Sequence, residues 1–126
     1  MRLAYLSIAV ALGLASPAAA WLAPNSLTVT DQGGGRFEVH SRGGLSNPDA
    51  FCAAGDYAVQ QLNLVPTARI WRVSPPPRRS GEGIVFSISP EGAAPKTGLF
   101  MFGTDDGSVS VAFAQQMCDR MRLRVK

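Results

Sequence analysis

Asn47 to Leu64 reads NPDAFCAAGDYAVQQLNL, and how this stretch folds decides the architecture of the whole chain. It predicts the one long amphipathic helix of the protein. Asn47 is placed to cap the helix, its side-chain oxygen taking a backbone N–H that the first turn leaves unpaired. Pro48 suits the first helical position, where a missing N–H is no loss, and Asp49 suits the positive end of the helix dipole. Phe51, Cys52, Gly55, Ala58, Val59 and Leu62 recur at the spacing of one helical face. Asp49, Ala53, Asp56 and Gln60 fall on the opposite, wetter side. Pro66 stops the helix and Asn63 is the candidate C-cap. Gly55 costs roughly 1 kcal/mol relative to Ala in a helix interior, which close packing against a strand would offset.

Working outward, the flanks read as strands. Trp21 to Asn25 reads as a loose N-terminal segment. Ser26–Thr30 and Arg36–Ser41 both alternate apolar with polar, with Leu27, Val29, Phe37 and Val39 facing inward. They predict a hairpin joined through Asp31 to Gly35, a glycine run longer than a tight two-residue turn. Gly33 to Gly35 lacks the strand–loop–helix setting of a phosphate-cradling loop. Beyond the helix, Arg69–Val73 and Gly83–Ser89 are further strands, the second with Ile84, Phe86 and Ile88 on its buried face, separated by an exposed proline-rich loop, Ser74 to Gly83. Gly98–Phe102 (GLFMF) reads as a buried fifth strand, and Thr104 to Gly107 as a turn. From Ser110 two readings compete. AFAQQM favours a short helix, Val111 to Cys118, whereas a strand through Ser108 to Ala114 is the rival. Arg120–Val125 alternates and reads as a closing strand. The expected fold class is therefore α+β, a mostly antiparallel sheet of about five or six strands covered on one face by one long and one short helix.

The chain has 126 residues, and the first 20 read as a secretory signal peptide. Arg2 gives the positive start, Leu3 to Leu14 the apolar stretch, and Ala18-Ala19-Ala20 the small-residue cleavage site. The apolar stretch is shorter than the ~20 residues a membrane span needs, and no later segment is apolar enough to span. Residues 21–126 are expected to form a single domain in the periplasm or outside the cell. Without Arg2, eleven Lys+Arg face nine Asp+Glu, a mild excess that gives no nucleic-acid signature. Cys52 and Cys118 are the only cysteines, and export would place both in an oxidising compartment. A structural disulfide is the expected state, since no C-x-x-C spacing is present to lower a thiol pKa.

Catalytic motifs do not emerge. His40 is the only histidine and sits at an outward strand position. Ser80 lies in RSGEG, not a nucleophile elbow. Asp105 and Asp106 are neighbours in a turn, and Glu82 and Glu91 have no partner visible along the chain. No metal or cofactor is expected. The basic residues are the more suggestive group. Arg69 and Arg72 flank Trp71, Arg78 and Arg79 follow three prolines, and Arg120, Arg122 and Arg124 would line one face of the closing strand. Brought together they would bind an anionic surface or an acidic protein, with Trp71 and Tyr57 as aromatic contacts. A solvated strand face is the plainer reading.

Three functions follow: an exported non-enzymatic binding or interaction protein, an enzyme whose site no motif betrays, and an inhibitor or accessory protein acting through Ser74–Gly83. A deep pocket lined by Glu82, Asp105 or His40 would favour the enzyme, and a flat cationic face would favour binding. Phe51-Cys52-Ala53-Ala54-Gly55-Asp56-Tyr57-Ala58, with Ala114 to Cys118 later in the chain, resembles a pattern in small exported two-cysteine proteins of alphaproteobacteria. The resemblance implies export, a bacterial source and a bridge between the cysteines. It carries over no catalytic residue.

Overall fold

The computed structural model describes residues 20–101 and 103–125, the last six of them by backbone course alone. The expected signal peptide lies outside the described residues except for Ala20. Along the chain run β1 (Ala20–Leu22), β2 (Thr28–Gly33), β3 (Arg36–Val39), α1 (Asn47–Gln60), β4 (Arg69–Arg72), β5 (Ile84–Ser87), β6 (Ser108–Ser110) and α2 (Val111–Val125). The strands form one six-stranded sheet in the order β1-β2-β3-β5-β4-β6, with every pairing antiparallel. The α+β class, the antiparallel sheet, the two helices and the disulfide are all present.

Alternation sorts the sheet into two faces. Val29, Phe37, Val39, Ile70, Ile84 and Phe86 are buried against the helices in one continuous core. Thr30, Glu38, Trp71 and Val85 alternate with them and lie half-buried on the other face. Within the core Phe51 of α1 meets Phe86 edge-on, with ring centroids 4.9 Å apart, and Tyr57 packs on Phe37 at 4.6 Å. The β2–β3 turn is tighter than its glycine run indicates. Gly33 still pairs with Arg36, leaving Gly34 and Gly35 as the two turn residues, at φ 64° and 82°. Those angles are the positive pair that a two-residue hairpin turn requires and that glycine adopts without strain.

Helix α1 departs from its expected details in ways that follow from its surroundings. Its N-cap is Ser46, whose Oγ accepts from Asp49 N at 3.2 Å, and Asn47 is thereby released for another role. The helix ends at Gln60. Asn63 then takes a left-handed conformation (φ 56°), and Leu64 N donates to Ala58 O at 2.9 Å, closing the end. Ala53, expected on the wet side, is fully buried, because α1 is enclosed by the sheet and by α2 together. A Cβ built on Gly55 would stand 2.9 Å from Ala114 Cβ and 3.1 Å from Gln115 N. The glycine thus admits the second helix, not a strand. At that crossing Cys52 and Cys118 are joined, with Cα atoms 4.9 Å apart across 66 residues of sequence. Closing a loop of that length contributes about 4 kcal/mol in the chain-entropy account.

Three expected elements are corrected. Trp21 belongs not to a loose segment but to edge strand β1, opposite Val29, with its ring edge-on to Tyr57 at 5.7 Å. Gly98–Phe102 is not a strand: residues 98–101 bend, Gly98 takes φ 85°, and Phe100 is 80% exposed, while Phe102 lies outside the described residues. The sixth strand is Ser108–Ser110, a fragment of the rival strand reading, and the helix follows it at Val111. Residues 120–125 continue α2 and form no closing strand, since neither glycine nor proline interrupts the helix-forming run. A helical period does not line up positions 120, 122 and 124 as a strand would, and their side chains lie outside the described residues.

Candidate functional site

The sheet face away from the helices carries a cleft of about 850 Å³. Its wall is the end of β3 and the residues after it, Glu38, His40 and Ser41, and Val85 of β5 joins the lining. Pro75 to Arg79 and Glu82 of the β4–β5 connection complete it. The site exists because β5 pairs with β3 on one side and β4 on the other. The proline loop that joins β4 to β5 is thereby set beside the outward residues of the N-terminal hairpin.

The loop is shaped by its own chemistry. Arg78 Nη1 donates to the carbonyls of Arg79 and Glu82, at 2.9 and 2.7 Å, and its Nε donates to Leu45 O at 3.3 Å. Arg79 N donates to Glu82 Oε1 at 3.2 Å. At the base of the loop Val85 N donates to Ser74 Oγ at 2.9 Å. Gly83 lets the wall close on the loop, for a Cβ there would lie 2.5 Å from Val39 O and 2.6 Å from Glu38 Oε2. On the wall Glu38 Oε1 accepts from Gln32 Nε2 at 3.1 Å, and His40 Nε2 shares a 2.8 Å hydrogen bond with Thr30 Oγ1 across the hairpin. The cleft therefore presents both signs of charge, a histidine, hydroxyls and proline rings on a framework braced by hydrogen bonds.

Among the described side chains, the predicted arginines are not gathered on one face. Arg78 and Arg79 line the cleft. Arg69 lies at the β4–β6 pairing, where Nε donates to Ser108 Oγ at 2.9 Å and Nη2 to Ser108 O at 3.2 Å. Arg72, read as a partner-binding residue, is 0% exposed and belongs to the core side of β4. Its Nε donates to Ser74 O at 2.6 Å, and its Nη1 to Thr97 O at 2.7 Å and Asn47 Oδ1 at 2.8 Å. Its Nη2 is buried without a hydrogen-bond partner. Burial, and secondarily the charge of Arg78, lowers the Arg72 pKa from the usual arginine value. Asn47, released from capping, also donates through Nδ2 to Gly98 O at 2.9 Å. This is why Gly98 has no side chain: a Cβ would sit 2.7 Å from both Arg72 Nη1 and Asn47 Nδ2.

The other candidates separate in the same way. Tyr57, expected as an aromatic contact, is 6% exposed inside the ring cluster, and its pKa is raised by burial and then by Asp31. Trp71 is half-buried on the open face, opposite Ser87 and Ser108. Asp105 organises the β5–β6 connection, accepting from Thr97 N, Thr97 Oγ1 and Gly107 N at 2.9 to 3.0 Å. Asp106 is exposed, and its pKa is lowered by hydrogen bonds from the Ser108 hydroxyl and N–H. Glu38, Ser41 and Val85 are cleft residues that the sequence reading did not single out. The outward alternation of β3 marked Glu38, but the β3–β5 pairing that makes it part of a site leaves no local trace.

Among the described residues one group has metal-ligand chemistry, Cys52, Asp56 and Cys118, and two of its members are joined in the disulfide. No helix among the described residues is long and apolar enough to cross a membrane. Comparison with protein-family models, with curated proteins and with solved structures finds no match for this chain.

Proposed function

We propose that this chain is a small exported binding module, periplasmic or extracellular and non-enzymatic, that takes a small polar ligand in the cleft beneath the proline loop. The observation that carries the reading is the cleft itself. At about 850 Å³ it has the size of a small-molecule site, and the loop over it is held by hydrogen bonds before any ligand arrives. A site already in shape spends little of its interaction energy on ordering itself. Glu38 on the wall, with Arg79 and Glu82 together on the loop, supplies both signs of charge and suits a ligand bearing both an ammonium and a carboxylate, such as an amino acid or a short peptide. The disulfide is compatible with an oxidising compartment. An anionic surface is a poorer partner than it looked from the sequence, because Arg72 is sealed in the core.

The test is a titration of isotopically labelled protein with amino acids and short peptides, read by NMR shift changes. Perturbations should cluster at Glu38, His40, Arg79 and Val85 and disappear in Ser41→Trp, which fills the cleft. Shifts that map elsewhere, or that survive the filling, would sink the reading. The enzyme is the second reading, favoured by one observation: His40 and Glu82 do line a single pocket, although Asp105 does not. Against it, His40 Nε2, Glu82 Oε1 and Ser74 Oγ are each engaged by the chain's own groups, whereas a nucleophile and base must reach each other. Turnover of a bound ligand, lost in His40→Ala while binding persists, would decide for the enzyme.

A further inference from the structure

Asp56 stands in a position that the disulfide does not explain. It follows Cys52 by one helical turn on α1, and Gln115 Nε2 from α2 holds its Oδ1 at 3.1 Å. That contact turns Oδ2 toward Cys118 Sγ, 3.7 Å away. A disulfide sulfur has no proton to donate, so this half-buried oxygen faces an atom that cannot satisfy it. The ligand atoms of Cys52, Asp56 and Cys118 all lie within 4.8 Å of one another. Thiolates bind zinc at about 2.3 Å and carboxylates at about 2.0–2.2 Å. Two such bonds at a tetrahedral angle hold sulfur and oxygen about 3.5 Å apart, close to the 3.7 Å between Cys118 Sγ and Asp56 Oδ2, whereas the two sulfurs would have to part once their bond is broken.

We propose that when the Cys52–Cys118 bond is reduced, the two sulfurs and Asp56 Oδ2 form a three-ligand site for a thiophilic cation of the zinc type, with water at the fourth position. This site lies at the helix crossing and is independent of the cleft. The step balances with a dithiol as reductant. The S–S bond breaks, two electrons and two protons pass to the protein sulfurs, and the dithiol becomes a cyclic disulfide. A divalent cation then replaces the two thiol protons, which leave to solvent. Gln115 acts as the outer partner that fixes the carboxylate, the arrangement that ordinarily tunes a metal ligand. Since the cation and the S–S bond use the same sulfurs, a chain carrying the metal would resist oxidation, and closing the bridge would eject the ion.

The experiment uses the purified chain reduced under anaerobic conditions, with cobalt(II) as the probe. One equivalent should produce a thiolate-to-cobalt charge-transfer band that zinc displaces, and the oxidised chain should give none. Asp56→Asn keeps both sulfurs and should weaken binding about tenfold or more. Far-UV circular dichroism of the reduced chain, with and without metal, reports whether the helices persist. Absence of the band in the reduced chain overturns the proposal. So does binding of equal affinity in Asp56→Asn, which is also what an unfolded chain offering two thiols would show.

Discussion

Two long connections leave β5, one back to β4 through Ser74–Gly83 and one onward to β6 through residues 88–107, and an arginine pins each of them. Arg78 gathers the carbonyls of Leu45, Arg79 and Glu82 at the open cleft. Arg72 gathers the oxygens of Ser74, Thr97 and Asn47 inside the core. Both were read from the sequence as side chains waiting for an anionic partner. Both turn their guanidinium on the protein's own oxygens, which the several donors of a planar fork allow and the point charge of lysine does not. The difference between them is water. Around half-buried Arg78, carbonyls that lost their donor would be rehydrated. Around Arg72 the Thr97 carbonyl would not, and the Ser74 and Asn47 oxygens only in part. The same set of bonds thus carries different weight in the two places, and the lesson is that burial, more than the count of contacts, sets what a clamp is worth.

Removing the buried clamp should have the largest effect. Arg72→Met keeps much of the apolar stem and strands three oxygens, two backbone carbonyls and the Asn47 amide oxygen. Orphaned buried acceptors cost about 1–3 kcal/mol each, and relief of an unpaired buried charge offsets part of that. A net loss of about 3 kcal/mol is expected, read as a lower urea midpoint at unchanged slope. Arg72→Lys should fall between. A midpoint equal to wild type would show that Arg72 is a passenger in the core and not its fastener.

The same contrast explains what could be read in advance. Alternation exposed Phe37, Val39, Ile84 and Phe86 as core because a half-covered sheet imposes a period of two on each strand, but it failed at Ile88, which lies just past the end of β5 and is 42% exposed. The helix stood out because Pro48, Asp49 and the spacing of Phe51 and Cys52 agree with one another. The cysteine pairing followed from there being two of them. Arg72 was misread because a charged residue among outward arginines looks solvated, and only the loop at Thr97 closing over it makes it core. Gly98–Phe102 was misread for the same reason from the other side. Leu99 and Met101 still pack against the core but Phe100 is turned out, because the contacts of Thr97 and Gly98 with Asp105, Arg72 and Asn47 hold this segment as a loop, and none of those partners is visible in the local pattern. Residues 120–125 show a period of two that a helix already under way overrode. The cleft was legible in its parts, His40, Arg78, Arg79 and Glu82, but not as a site, because strand order is a property of the assembled sheet.

At the exposed clamp the expectation reverses. Arg78→Met should lower stability by less than about 1 kcal/mol, as solvent takes over the three carbonyls. Its effect should appear locally. Amides from Arg79 to Gly83 should exchange with solvent faster, whereas those of α1 should be unchanged, because a loop can open below the global unfolding free energy. A loss matching that of Arg72→Met would break the comparison, and the loop would then have to be counted as part of the core.

The smallest effect belongs to a carboxylate at the far end of the second connection. Asp106 Oδ1 accepts from Ser108 Oγ at 2.7 Å and Ser108 N at 3.0 Å, and these bonds hold its pKa below the usual aspartate value. A group whose folded pKa is depressed stabilises the fold while it is ionised in both states, above the ordinary aspartate pKa of about 4. That contribution is lost as the pH falls through the folded value. Asp106→Asn removes the titration, so the acid limb of its stability curve should be shallower than wild type below about pH 4, with the two curves running parallel near neutrality. Because Asp106 is exposed, the difference should be slight and should shrink further in added salt. Urea midpoints measured from neutral pH down to pH 3 would show it. An unchanged acid limb would mean that the Ser108 contacts hold the ionised and protonated carboxyl equally well, and that the exposed end of this connection, unlike its buried middle, adds nothing to the fold.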